Sequence, residues 1–153
     1  MESTAATLEL LNDLILINND RIEGYEKALK ELRENGDNSD MEPVFLRFID
    51  DSRRYKMEIG TEIQALGHDI EQGTSISGKL HRAWIAVKET FTGHDGHNLL
   101  EEIEHGEDAI RNAYEDALID GVLPAYIIDI LDEQLQEILE AHDEIKALRD
   151  SVH

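Results

Sequence analysis

Residues 98–118 read NLLEEIEHGEDAIRNAYEDAL, and the fold follows from how this stretch is taken. Leu99, Ile103, Ile110, Ala113 and Ala117 recur at steps of three, four and seven. That spacing places apolar side chains on one face of a helix. Asn98 with Glu101 resembles a capping box and predicts the helix start. Glu107 and Tyr114, seven residues apart, sit on the edge of the apolar stripe. The tail YEDAL at 114–118 echoes YEKAL at 25–29, and EIQAL at 62–66 echoes EIKAL at 144–148. The chain therefore reads as two helical hairpins of related sequence.

Working outward, each hairpin can be assigned. Leu8, Leu11, Ile15, Asn18, Ile22, Tyr25, Leu29 and Leu32 keep the same phase and predict a helix over about 3–34. Helices this long with heptad-like spacing belong to bundles. Asn18 is the polar residue on that seam, expected to hydrogen-bond a neighbouring helix and fix register. NGDNSD at 35–40 is a turn by composition, with Asp40 as N-cap and Pro43 in the next first turn. Phe45, Phe48, Ile49, Ser52, Tyr55, Ile59, Ile63 and Leu66 then predict a helix over 42–66, ended by Gly67. Past the first stretch, Pro124 opens a helix over 124–150, with Ile128, Leu131, Leu135, Ile138, His142, Ile145 and Leu148 as its stripe.

Between the hairpins, residues 67–97 form a long crossover. Leu80, Trp84, Val87 and Phe91 predict a shorter helix over 78–92, with Trp84 as its anchor against the bundle. His94, Asp95 and His97 lie in the turn GHDGHN, where a His-x-x-His pair could hold a metal, but they read first as exposed turn residues. Gly24, Gly60 and Gly106 stand inside predicted helices. Each costs about 1 kcal/mol against alanine, so their expected use is close approach of a neighbouring backbone or large side chain.

Composition bounds the functions. The chain has 153 residues, enough for one domain over 1–153 with a real core. It contains no cysteine, which excludes disulfides, thiolate metal sites and a cysteine nucleophile. The formal net charge is −21, from 35 acids against 14 Lys and Arg. Such a surface repels phosphate backbones and anionic bilayers, so neither a nucleic acid nor a membrane is expected as partner. No apolar run approaches the roughly 20 residues needed to span a bilayer. MESTAATLELLNDL opens without a basic region and is not expected to be a signal peptide. A cytoplasmic location fits these features. No nucleophile elbow, phosphate-cradling glycine loop or triad spacing appears, and a catalytic role is not expected.

At the level of motifs, SISGKLHRAWIAVKETFTG, EEIEHGEDAIRNAYEDAL and QLQEILEAHDEIKALRD, with LNDLI at 11–15 and GYEKA at 24–28, resemble a bacterial family of ferritin-like four-helix-bundle proteins of unassigned function. The resemblance implies an all-α, antiparallel ferritin-like four-helix bundle with the additional shorter helix in its crossover. It is silent about chemistry.

Di-iron members of the ferritin-like class place a Glu on each of two helices and a Glu-x-x-His on each of the other two, all facing inward. The inward positions here read Asn18, then Ser52 and Tyr55, then Glu107, then Leu139 and His142. Only Glu107 and His142 are ligand types, and Glu102-x-x-His105 falls on the outer face. The dinuclear constellation is therefore absent. Two expectations follow. The first is a non-catalytic structural or interaction module that self-associates into a homo-oligomer, with no cofactor firmly implied. There Glu107 and His142 form a buried hydrogen-bonded pair, and Tyr25 and Tyr114 donate hydrogen bonds across the bundle. The alternative is a metal-binding relative, holding iron or manganese at a reduced site of Glu107 and His142 completed by Glu104, Glu23 or Glu26.

Overall fold

The computed structural model describes residues 2–34, 40–69, 84 and 96–151. Helix α1 spans Glu2–Glu34, α2 Met41–Ala65, α3 Gly96–Ile119 and α4 Ala125–Ser151. No strand occurs among the described residues, and no helix among them is long and apolar enough to cross a membrane. The helix ends differ from the sequence-based bounds by no more than two residues, the usual scatter at frayed ends. The crossover helix over 78–92 lies outside the described residues except for Trp84, which is helical and buried. The GHDGHN turn also falls outside them, apart from the backbone of α3.

Local chemistry explains the ends. After α2, Gly67 adopts φ +87°. Its N–H donates to Gln64 O, and that of His68 donates to Ile63 O, the paired bonds of a Schellman cap. Gly121 takes the same left-handed conformation between α3 and α4. The N–H groups of Ile127 and Ile128 then donate to Pro124 O, so Pro124 stands just before α4 rather than inside it. Asp40 occupies the N-cap of α2, yet its side chain makes no capping hydrogen bond there. Helix α3 begins at Gly96, ahead of the expected Asn98 cap.

Packing pairs α1 with α2 and α3 with α4. The two pairs meet along narrower seams, α1 with α3 and α2 with α4. As numbers rise on α1 they fall on α2: Asn18 meets Ser52, Tyr25 meets Phe48 and Arg33 meets Glu42. On α3 and α4, Glu104 meets Arg149, Asp108 meets His142 and Tyr114 meets Gln134.

The buried apolar residues fall into two clusters rather than one. The first gathers Tyr25, Leu29, Phe45, Phe48, Trp84, Ile103 and Ile145. The second gathers Leu11, Ile15, Ile59, Ile110, Leu131 and Ile138 among others. Burial of this kind, at about 25 cal/mol per Å² of apolar surface, is what holds such helices together.

Trp84 joins the first cluster in a specific way. A methyl added at Gly24 would lie 2.4 Å from its Cε3, and one at Gly106 would lie 2.8 Å from its Cε2 and Cζ2. The indole is thus slotted between a glycine of α1 and a glycine of α3. Tyr25 meets its edge, with ring centroids 5.5 Å apart. The close approach expected of these glycines is what Gly24 and Gly106 provide.

Candidate functional site

Between the two apolar clusters lies a polar layer to which all four helices contribute. Its centre is Arg21 of α1 and Glu107 of α3, with accessible surfaces of 1% and 0%. Arg21 Nε donates to Glu107 Oε2 at 2.7 Å, and Nη2 donates to Oε1 at 2.8 Å. This is the bidentate fork that a guanidinium forms with a carboxylate. The third guanidinium nitrogen is also used, because Nη1 donates to Ser52 Oγ at 3.0 Å. Arg21 also lies over two ring faces, 5.6 Å from the centroid of Tyr25 and 5.4 Å from that of Phe48, a stabilising arrangement for a desolvated cation.

From Ser52 the layer continues. Ser52 Oγ donates to Asn18 Oδ1 at 2.9 Å. Asn18 Nδ2 donates to the Tyr114 hydroxyl at 3.0 Å and to Leu14 O at 2.9 Å. Tyr114 donates to Gln134 Oε1 at 2.6 Å. Gln134 Nε2 donates to Glu58 Oε1 at 2.9 Å and lies 3.4 Å from Tyr55 O. The chain of bonds therefore runs from a fully buried ion pair to a half-buried carboxylate at the surface of α2. Tyr55, just beside it, donates to Glu137 Oε1 at 3.0 Å, and Arg54 pairs with the same carboxylate.

The electrostatics agree with this wiring. Burial would lower the guanidinium of Arg21, but the Glu107 charge beside it more than reverses that and holds the group above its ordinary value. Arg21 stays charged. Burial pushes the Tyr25 phenol well up, and the Glu107 charge adds to the effect. Tyr114 is raised by burial, against a smaller opposing effect of the Asn18 hydrogen bond. Tyr55 is raised by burial, with Arg21 partly opposing. At the centre one fixed cation meets one buried carboxylate, and from there the neutral groups of Ser52, Asn18, Tyr114 and Gln134 lead to the Glu58 carboxylate at the rim.

The sequence-based site residues divide. Glu107 is buried as expected, yet its two oxygens are taken by Arg21. The expected Glu107–His142 pair is corrected accordingly: no ion pair joins them among the described residues. His142 sits 15% exposed on the flank of α4, with Nε2 2.8 Å from Asp108 Oδ1 and 3.6 Å from Glu104 Oε2. Glu104 also holds Arg149. Glu104 and His142 are thus brought together, away from the centre. Glu23 and Glu26 are exposed, and Glu26 pairs with Arg53 at 3.2 Å. Asn18, Ser52 and Tyr55 are inward as expected. On α4 the inward residues are Ile138 and Ala141 in place of Leu139 and His142, a phase shift of one residue. Among the described residues no group of three or more His, Asp or Glu is placed to hold a metal ion.

Arg21 and Gln134 are the members that the apolar pattern did not reveal. A buried carboxylate on an apolar stripe demands a cation, and Arg21 lies three residues from Asn18 on the same face, so a signal for it existed.

Fold and layer together define the class: an all-α helical protein whose centre is closed by a salt bridge between helices. The chain belongs to the family described as Domain of unknown function (DUF2383), whose model matches residues 6–120. That span takes in α1, α2 and α3 with Arg21, Ser52 and Glu107, while Gln134 and His142 fall beyond it. No curated protein matches the sequence.

Proposed function

We propose that this chain is a single-domain, antiparallel, ferritin-like four-helix bundle whose interior serves structure rather than redox chemistry, and which acts as a non-catalytic interaction module. The observation that carries the reading is the Arg21–Glu107 pair. In a ferritin-like interior, inward carboxylates exist to neutralise desolvated metal cations. Here the inward carboxylate is neutralised by a guanidinium of the protein itself, both oxygens used. The falling and rising residue pairs along the two hairpins support the antiparallel plan, and the polar layer between two apolar clusters supports the role of a register device.

An interaction module works through its surface. Copies of a chain with a net charge of −21 repel one another at low ionic strength. Self-association of the bundle is therefore expected to strengthen with salt, and a basic partner is favoured over an acidic one.

The test is metal analysis of untagged chain equilibrated with iron(II) or manganese(II) and then freed of unbound ion, combined with sedimentation. The expected result is no stoichiometric metal. Stoichiometric uptake that is abolished by His142→Ala with Glu104→Gln would overturn the structural reading in favour of a flank metal site. Uptake abolished by Glu107→Gln would place the metal at the centre.

A further inference from the structure

Among the described residues, the α1–α3 seam is filled at one end only. Trp84 closes it between Gly24 and Gly106. Further along lies an open groove of about 300 Å³. Its walls are two matched stripes at helical spacing, with Leu14 and Ile17 on α1 facing Ala113 and Ala117 on α3. The alanines leave room for a close backbone approach. Each wall also carries carboxylates, Asp13 on one side and Asp116 and Asp120 on the other. Among the described residues no ion pair reaches any of the three. Asp13 is raised from its ordinary value by burial and then by the charge of Glu9, and a cation placed here would offset the cost of keeping it charged.

The geometry points to this groove as the docking site for a basic amphipathic helix of a partner protein. The partner's apolar face lies on Ile17 and Ala113, and its Lys or Arg side chains reach the three aspartates. The proposal deepens the reading of the chain as an interaction module and rests on it. An apolar helix face seated in a groove supplies affinity, and charge complementarity at the rim supplies selectivity and rate. A second copy of this chain is the poorer occupant, because it brings the same sign of charge. Trp84 shows that the same seam already accepts a large apolar side chain between its two helices.

Isothermal titration of the full chain tests this with a synthetic amphipathic helical peptide of Leu and Lys, against its Leu and Glu counterpart. The Leu–Lys peptide is expected to bind stoichiometrically and the Leu–Glu peptide not at all. Ala113→Phe, which fills the groove, should weaken binding by at least about tenfold, as should Asp116→Asn with Asp120→Asn. Asp132→Asn with Glu133→Gln removes the same charge from an exposed part of α4 and should leave affinity within about twofold. Circular dichroism melts confirm that each variant folds. If Ala113→Phe does not fold, added hydrogen-exchange protection of residues 113–120 in the parent reads the same contact. The proposal falls if the parent binds neither peptide, if Ala113→Phe binds as the parent does, or if the α4 control weakens binding as much as the groove pair. It falls as well if the parent sediments as a dimer that Ala113→Phe splits, since the occupant is then a second copy. None of these outcomes touches the Arg21–Glu107 pair, so failure here is distinct from failure of the structural reading.

Discussion

Arg21 carries a charge that cannot be neutralised by losing a proton into a position with 1% of its surface accessible. Taking that charge out of water costs several kcal/mol, and only a well-made pair offsets the cost. Glu107 supplies two bonds, Ser52 a third, and the rings of Tyr25 and Phe48 the flanks. Tyr114 shows the same economy on the neutral side, accepting from Asn18 and donating to Gln134. Tyr114→Phe removes the acceptor of one buried donor and the donor of one buried acceptor. It is expected to destabilise the fold by about 1–3 kcal/mol, checked by urea unfolding. Glu107 was legible in the sequence because a carboxylate on an apolar stripe stands out. Arg21 was not, because a long cation beside a seam is ordinarily solvated, and only the need of Glu107 for a counter-charge points to it. His142 misled for the opposite reason. It shares the spacing of the α4 stripe, but the inward face passes through Ile138 and Ala141.

At the scale of elements, the four long helices were the most legible feature, since the apolar period persists over many turns and Gly67, Gly121 and Pro124 punctuate it. Periodicity marks a seam and cannot say which helix another one faces, so the slot for Trp84 was legible only as unexplained glycines. The slot makes a prediction of sign. Alanine in a helix is ordinarily better than glycine by about 1 kcal/mol. At Gly24 and Gly106 the added methyl meets an indole hemmed in from both sides, and overpacking costs about 1–3 kcal/mol. Gly24→Ala and Gly106→Ala are each expected to lower the midpoint of thermal unfolding. In a Trp84→Ala background, Gly24→Ala should instead raise it. If Gly24→Ala stabilises the chain with Trp84 in place, the slot is not formed as described.

For the molecule as a whole, burial of three phenols links stability to alkaline pH. The folded state holds Tyr25, Tyr55 and Tyr114 above their ordinary value, near 10 in the unfolded chain. Between those values the unfolded state loses protons that the folded state keeps, so stability is fully present below about pH 10 and falls as pH rises above it. An alkaline titration followed by phenolate absorbance and helical circular dichroism should show the signal of these three tyrosines appearing together with loss of helix. In a Tyr126→Phe background, which removes the exposed fourth tyrosine, phenolate formed while the helix signal is intact would contradict their burial.

Two apolar half-cores are joined through one coupled ion pair, and a double-mutant cycle on unfolding free energy measures that coupling most directly. Arg21→Met and Glu107→Leu each strand a buried charge and should each cost about 3–5 kcal/mol, while the double variant, with nothing left unpaired, should recover most of that loss. A double variant as unstable as the sum of the two single ones would contradict that coupling.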